Sequence, residues 1–249
     1  MQDTVSSAGI SAQVTVSIVS HGHGMLVSSL LSDLALHCSG GIEVILTLNV
    51  PELLPIVEGA YPFRVELIRN EVPKGFGANH NAAFESCRTS HFCVLNPDVQ
   101  VGANPFPQLV AGLRDPLAGV VAPLVCNPAG DIEDSARRFP TPWFIVRKLF
   151  GLAGQQDYPI GQSTLSPDWV AGMFMLFRKA VFAEIKGFDE RYFLYYEDVD
   201  LCWRLRQRGY DVRLLPGVTV VHDARRESRR SARHLRWHLA SMLRFMATR

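Results

Sequence analysis

Four short motifs carry residue types and spacings that could do chemistry on a phosphorylated ligand. The first is Leu95-Asn96-Pro97-Asp98, an acid just past an apolar run. At the C-terminal end of a parallel strand, a carboxylate stands where open α/β sheets bind ligands, and it can hold a hard divalent cation against a diphosphate. The same tetrapeptide also reads as a plain strand-end turn. The second is Tyr195-Tyr196-Glu197-Asp198-Val199-Asp200-Leu201. Three acids in four residues open a helix, where the dipole favours anions. Asp198 shares a helical face with Leu201, Cys202 and Leu205, so its carboxylate is expected to point into the protein. Desolvation there raises proton affinity, which suits a general base. Glu197 and Asp200 are expected to point elsewhere, in structural or substrate-orienting roles.

The third motif is Val220-Val221-His222-Asp223. A neutral imidazole ligates borderline cations such as Mn²⁺, although a lone His more often serves as a satisfied polar residue. The fourth is Lys74-Gly75-Phe76-Gly77-Ala78-Asn79-His80-Asn81. It matches neither a dinucleotide fingerprint nor a Walker A loop. Glycines ahead of a helix allow backbone N–H groups to approach phosphate or ribose, and they equally suit a tight strand-to-helix turn. His21 and His23, flanked by glycines, read as a turn. The chain has no GxSxG, so Ser-His-Asp hydrolase chemistry lacks its elbow.

The elements that must position these motifs are legible as alternations of apolar runs. Strands are expected at Val14–Ser20, 42–50, 63–69 and His91–Leu95, with helices over 25–38 and from Gly75-Phe76-Gly77 to about 86. Further along, helices are expected at 108–113, 179–185, 197–208 and 228–246, and strands at 119–124, 170–178, 212–215 and 218–221. Residues 126–168, rich in Pro and Gly, read as loops with a short helix near 143–149. The pattern is that of an α/β fold with a mostly parallel central sheet and crossover helices.

Composition excludes several classes. Charged residues are 20% and hydrophobic ones 47%, which excludes wholesale disorder, collagen and coiled coil. A net charge of +1 argues against a dedicated nucleic-acid binder. Five Cys without a CxxC fit neither a zinc ribbon nor a disulfide framework, and point to a reducing, cytoplasmic compartment. No signal peptide or membrane-spanning run is expected.

Together the motifs resemble the family 2 inverting glycosyltransferases of the GT-A fold, in particular the rhamnosyltransferase-like branch that builds bacterial polysaccharides. The resemblance covers residues 14–246. Its most specific part is Gly187-Phe188-Asp189-Glu190 through Phe193-Leu194-Tyr195-Tyr196-Glu197-Asp198-Val199-Asp200-Leu201, following Leu95-Asn96-Pro97-Asp98 in the right order.

The resemblance implies roles for particular residues. Asp98 matches the metal-binding acid of a DxD-type motif, with Asn96 in place of the first acid. His222 completes the site for Mg²⁺ or Mn²⁺. Asp198 matches the base of an ED motif, with Glu197 beside it. Ser20, Asn49 and Asn96 contact the nucleotide sugar, Gly75, Gly77 and Asn81 line the donor pocket, and Gly172 and Trp169 lie on the acceptor side. Leu48-Asn49 departs from the common Asp-Asn, and His21-Gly22 from the common aromatic-Asn. The implied partners are a dTDP- or UDP-sugar and a saccharide or lipid-linked acceptor, with no nucleic acid. A nucleotidyltransferase is a poorer match because 20–25 holds no basic residue. A catalytically silent sugar- or partner-binding module is the alternative.

The expected organisation is a flexible 1–12, a glycosyltransferase domain over 13–224 (donor half 13–100, acceptor half 101–224) and a basic amphipathic helix at 225–249. That last segment holds eight Arg and one Glu, a charge of +7, which leaves −6 for residues 1–224. Its Arg residues beside Leu235, Leu239, Leu243 and Met246 suit either a solvated helix or a face lying on anionic lipid at the inner side of the plasma membrane.

Overall fold

The β-branched run Val14–Ser20 forms β1, which pairs in parallel with β2 (Ile42–Leu48) on one side and β4 (His91–Leu95) on the other. All seven residues of β2 are buried, the continuous burial of a strand covered on both faces. β3 (Val65–Arg69) extends the parallel set at the edge. The computed structural model describes residues 13–53, 59–141, 157–223 and 232–249. The expected flexible 1–12, the short helix at 143–149 and residues 225–231 of the basic segment lie outside the described residues.

Beyond β4 the sheet continues through β9 (Phe174–Arg178), β6 (Ala118–Cys126), β10 (Asp211–His222) and the two-residue β5 (Val99–Gln100). β9 is antiparallel to both neighbours and β5 is antiparallel to β10. The other six strands share one direction, as a mostly parallel sheet requires. Helices α1 (Gly24–His37) and α3 (Phe106–Gly112) pack on one face through Leu30, Leu31, Leu34, Phe106 and Leu109. Helices α2 (Phe76–Glu85), α4 (Lys179–Glu184) and α5 (Glu197–Gln207) cover the other through Ala83, Phe182, Leu201 and Leu205. A last helix, α6 (Ala232–Thr248), docks outside α5 and seats Phe245 in the same core. All five cysteines are buried and unpaired.

Two strand expectations change. Residues 170–178 are not one strand. β8 (Trp169–Val170) pairs with β7 (Ala136–Arg137) in a small second sheet, and only β9 enters the main one. The chain leaves the ladder at Gly172 because its N–H donates to the Asp198 carboxylate instead. Conversely, 212–215 and 218–221 are one strand. Its ladder to β6 is irregular between Leu215 and Thr219, where Pro216 supplies no N–H and Gly217 follows.

One buried histidine belongs to the scaffold. The His80 Nδ1 lies 2.8 Å from Ser17 Oγ, and its ring sits edge-on to Phe76. Burial holds its pKa down at about 3, so it stays neutral at physiological pH.

Candidate active site

The turn after β4 carries Asp98, and the end of β10 carries His222. Register brings them together: His222 pairs with Val99 across the β5–β10 ladder, and the Asp223 N–H donates to the Asp98 backbone oxygen at 3.2 Å. The His222 Nε2 then lies 3.2 Å from Asp98 Oδ2. The other Asp98 oxygen, Oδ1, is buried without a hydrogen-bond partner. Burial lowers the proton affinity of His222. The hydrogen bond and charge of Asp98, and then those of Glu133, outweigh it and lift the pKa to about 9.

Glu133 was not found from the sequence. Its Oε2 lies 2.8 Å from His222 Nδ1. The only signal was an acid cluster (Asp131, Glu133, Asp134) in a segment without periodicity.

Asp198 sits in the first turn of α5. Two consecutive left-handed residues, Tyr195 at φ 71° and Tyr196 at φ 67°, aim the chain into that turn. Asp198 Oδ2 accepts the Gly172 N–H at 2.9 Å and Oδ1 accepts the Val199 N–H at 2.8 Å. A Cβ on Gly172 would lie 3.4 Å from the Phe76 ring and 3.5 Å from Asp198 Cβ, so the segment passes close. Burial raises the Asp198 pKa, and the two N–H donors and the Arg137 charge oppose it. Glu197 is pushed up much further, by burial and then by the Asp198 charge, and its Oε2 has no partner. Of the two neighbours, Asp198 is therefore the one built to be the anion.

Glu197 and Asp200, expected to point elsewhere than Asp198, are both buried. Glu197 is 5% exposed and Asp200 0%, both less than Asp198. For Asp200 the cover comes from the end of α6, which brings Arg249 to its carboxylate. Asp200 pairs with Arg204 Nε at 2.6 Å and with Arg249 at the end of α6.

Gly172 and its successor tie the two acids together. The Asn96 N–H donates to the Met173 oxygen at 2.9 Å, so adjacent residues contact the Asp98 turn and the Asp198 carboxylate. Trp169, on β8, is buried. Its indole N–H donates to the Arg138 oxygen, and the Arg137 guanidinium stacks 5.4 Å from its ring.

The residues expected on the donor side are held mostly by protein. Ser20 is fully buried, and its Oγ accepts the His23 N–H at 3.2 Å. Asn49 Oδ1 accepts the Lys74 N–H and Asn70 Nδ2, while its Nδ2 donates to the Lys74 oxygen. Its amide thus anchors the loop before α2. A Cβ on Gly75 would lie 2.7 Å from the Phe193 oxygen, and one on Gly77 2.6 Å from Phe188 Cβ. Asn81 exchanges hydrogen bonds with Phe188 N–H and C=O, both at 2.9 Å. These three residues fasten α2 to the 187–193 segment.

A divalent cation fits the chemistry of the Asp98–His222 pair, a carboxylate with one buried oxygen lacking a partner and an imidazole nitrogen 3.2 Å from the other oxygen. Among the described residues, no group of three or more His, Cys, Asp or Glu could hold a metal. Glu133 occupies the far nitrogen of His222. Two protein ligands leave the other positions to substrate oxygens and water, as is usual for Mg²⁺.

A family model described as "Glycosyltransferase like family 2" matches residues 12–240. The chain belongs to glycosyltransferase family 2. This family 2 glycosyltransferase is 30% identical over 247 residues to the rhamnosyltransferase WbbL of Escherichia coli, covering 94% of this chain and 92% of the relative. It is 34% identical over 175 residues to an N-acetylglucosaminyl-diphospho-decaprenol L-rhamnosyltransferase of Mycobacterium tuberculosis, covering 63% of this chain and 54% of the relative. The chain thus spans about half the length of the mycobacterial relative. Among solved structures, a mannosyltransferase from Pyrobaculum calidifontis in complex with GDP-Man and Mn²⁺ matches with TM-score 0.66 and 17% identity, covering 94% of this chain and 65% of that one. GalNAc-T7 with UDP, GalNAc and Mn²⁺ matches with TM-score 0.66 and 16% identity, covering 86% and 44%. At that identity the likeness shows the fold, which is GT-A as the motifs implied.

Proposed function

We propose that this glycosyltransferase moves a sugar, rhamnose in its most specific form, from a dTDP- or UDP-linked donor to a saccharide or lipid-linked acceptor in cell-surface polysaccharide synthesis. The observation that carries the reading is the Gly172-Met173 junction, which contacts both the Asp98 turn and the Asp198 carboxylate. Residues 13–100 hold the donor in this reading, with Ser20, Asn49, Asn96 and the Gly75–Gly77 loop along its path, and residues 101–224 hold the acceptor, with Gly172 and Trp169 at its edge.

Asp198 takes the proton of an acceptor hydroxyl. That oxygen attacks the anomeric carbon from the face opposite the diphosphate, the carbon–oxygen bond to the diphosphate breaks, and the configuration inverts. Mg²⁺ or Mn²⁺, when bound, would neutralise the charge gathering on the leaving diphosphate. Asp98 and His222 would hold it. The buried, unpartnered Asp98 Oδ1 supports this, as do two GT-A structures obtained with Mn²⁺. A thermal-shift screen of dTDP- and UDP-sugars with each cation tests the reading. A donor at a hundredfold over its Kd stabilises by about 2.7 kcal/mol, or roughly 5–10 °C for a chain of this size. The expected result is such a rise for one donor, lost in EDTA. No rise with any donor, or a rise indifferent to EDTA, refutes donor binding or its metal dependence respectively.

The cytoplasmic, membrane-peripheral reading rests on α6. Leu235, Leu239 and Leu243 follow one another at four-residue spacing and are 60%, 45% and 64% exposed, with exposed Arg233, Arg236 and Arg244 on one flank. No helix among the described residues is long and apolar enough to cross a membrane. An apolar stripe with a basic flank suits the surface of an anionic bilayer, where each Arg gains about 1 kcal/mol. Pelleting with phosphatidylglycerol vesicles is expected for the wild-type protein. It should be lost when Leu235, Leu239 and Leu243 are each changed to Glu, substitutions that leave the packed face untouched. Equal pelleting of the two proteins rules this face out.

A further inference from the structure

His222 lies between two carboxylates, and the one on its far side has no role in the reaction as written. Its Nε2 faces Asp98 at 3.2 Å, and its Nδ1 faces Glu133 at 2.8 Å. Between two acceptors the free ring holds a proton on each nitrogen, whereas an imidazole that ligates a cation keeps one. Which nitrogen keeps it, and so which offers its lone pair to a cation, is set by the partner of the other nitrogen. A carboxylate oxygen only accepts, so the Glu133 contact requires the proton on Nδ1. We propose that Glu133 is a positioning residue for a cation held by Asp98 and His222: by accepting the Nδ1–H, it leaves Nε2 as the nitrogen that would give its lone pair to a cation bound beside Asp98. The inference rests on the cation reading above.

The local backbone is built to hold Glu133 there. The Asn127 side-chain oxygen accepts the Ala129 and Asp131 N–H groups, and the Asn127 N–H donates to the Asp131 oxygen, which closes a tight reversal. The chain then returns along β6: the Glu133 N–H donates to the Val125 oxygen at 2.8 Å. Its side chain is only 22% exposed. Two residues on, the Ser135 oxygen accepts the Ala171 N–H, next to Gly172. One reversal thus supports His222 from behind and the residue before the Asp198 donor.

The alternative is that Glu133 is merely a counter-charge that steadies the fold. Mn²⁺ titration followed by electron paramagnetic resonance, in the presence of UDP, separates the two. Glu133→Ala should weaken Mn²⁺ binding roughly 10–100-fold. Glu133→Gln, whose side-chain oxygen can still accept from Nδ1, should lose only a small part of that. In a His222→Ala background, Glu133→Ala should add nothing, because the group it positions is gone. An Glu133→Ala protein that binds Mn²⁺ like wild type, or one that loses as much again in the His222→Ala background, overturns the inference. A wild-type protein that fails to bind Mn²⁺ overturns the cation reading itself, before any variant is compared. Histidine nitrogen spectra of the Mg²⁺-loaded wild-type protein with UDP give a readout that needs no variant: Nδ1 should be the protonated nitrogen of His222, and protonation at Nε2 overturns the inference.

Discussion

Replacing Asp198 by Asn is expected to leave donor binding unchanged and to lower transfer by roughly 10²–10⁴-fold, the usual contribution of a positioned general base. The substitution is close to isosteric, and the carboxamide oxygen can still accept one of the two N–H groups, from Gly172 or Val199, that the carboxylate now binds. Basicity is what disappears. Burial has raised the proton affinity of Asp198, which favours proton uptake, whereas the two N–H donors and Arg137 favour the carboxylate and hold that rise in check. Glu197 is a poor substitute: burial and the adjacent Asp198 charge push its proton affinity up further, so it is the less ready anion of the two. The measurement is kcat for transfer alongside the donor Kd from calorimetry. Turnover near the wild-type rate with an unchanged Kd would remove Asp198 from the mechanism.

Asp200 stands two residues away and should behave in the opposite manner. Changing it to Ala is expected to destabilise the fold by about 3–5 kcal/mol, the cost of leaving a buried partner uncompensated. Its carboxylate is fully buried and meets two guanidinium groups, Arg204 and Arg249. Arg204 in turn donates to the Ile185 and Gly187 oxygens at 2.6 and 2.8 Å, so its release also frees the loop that packs on α2. For a chain of this length the loss corresponds to a Tm lower by roughly 6–20 °C. Thermal unfolding followed by circular dichroism checks it, and a Tm within 2 °C of wild type, roughly 1 kcal/mol or less, would mean the pair contributes nothing.

Neighbouring acids with opposite phenotypes show where sequence reasoning reaches. The strand at Val14–Ser20 and the one at His91–Leu95 were legible to the residue, because each is a short β-branched or apolar-rich run with a Gly or Pro two residues past its end. The inward aim of Asp198 followed from helical spacing alone, since one face of α5 is Leu201, Cys202 and Leu205. The buried pairing of Asp200 did not, because it depends on Arg249 arriving from the end of α6. Gly75 and Gly77, at the start of α2, raised the question of phosphate approach. The closer claim on their space comes from Phe188 and Phe193, more than a hundred residues later, and spacing within one motif carries no trace of such a partner. Glu133 stayed hidden for a related reason: it sits on a loop, where no period sets which side chains face inward.

The covering of α5 by α6 has a consequence in time. Tyr195 and Tyr196 hold backbone conformations that cost an ordinary residue on the order of 1–2 kcal/mol each. The groups that restrain them come from α6: His234 at the Tyr195 hydroxyl, and Phe245 beside the Tyr196 ring. The counter-charge Arg249 follows Asp200 by 49 residues. At 5–20 residues per second, a ribosome needs roughly 2–10 s to add that stretch. At the start of this interval β1 to β9, the Asp98 turn and Asp198 itself have been synthesised and β10 follows within it, but the two tyrosines that aim α5 lack their restraints until α6 is made. In a nascent chain β1 to β4 therefore precede the groups that fix the entry to α5, and the turn carrying Asp198 is restrained only once α6 has docked.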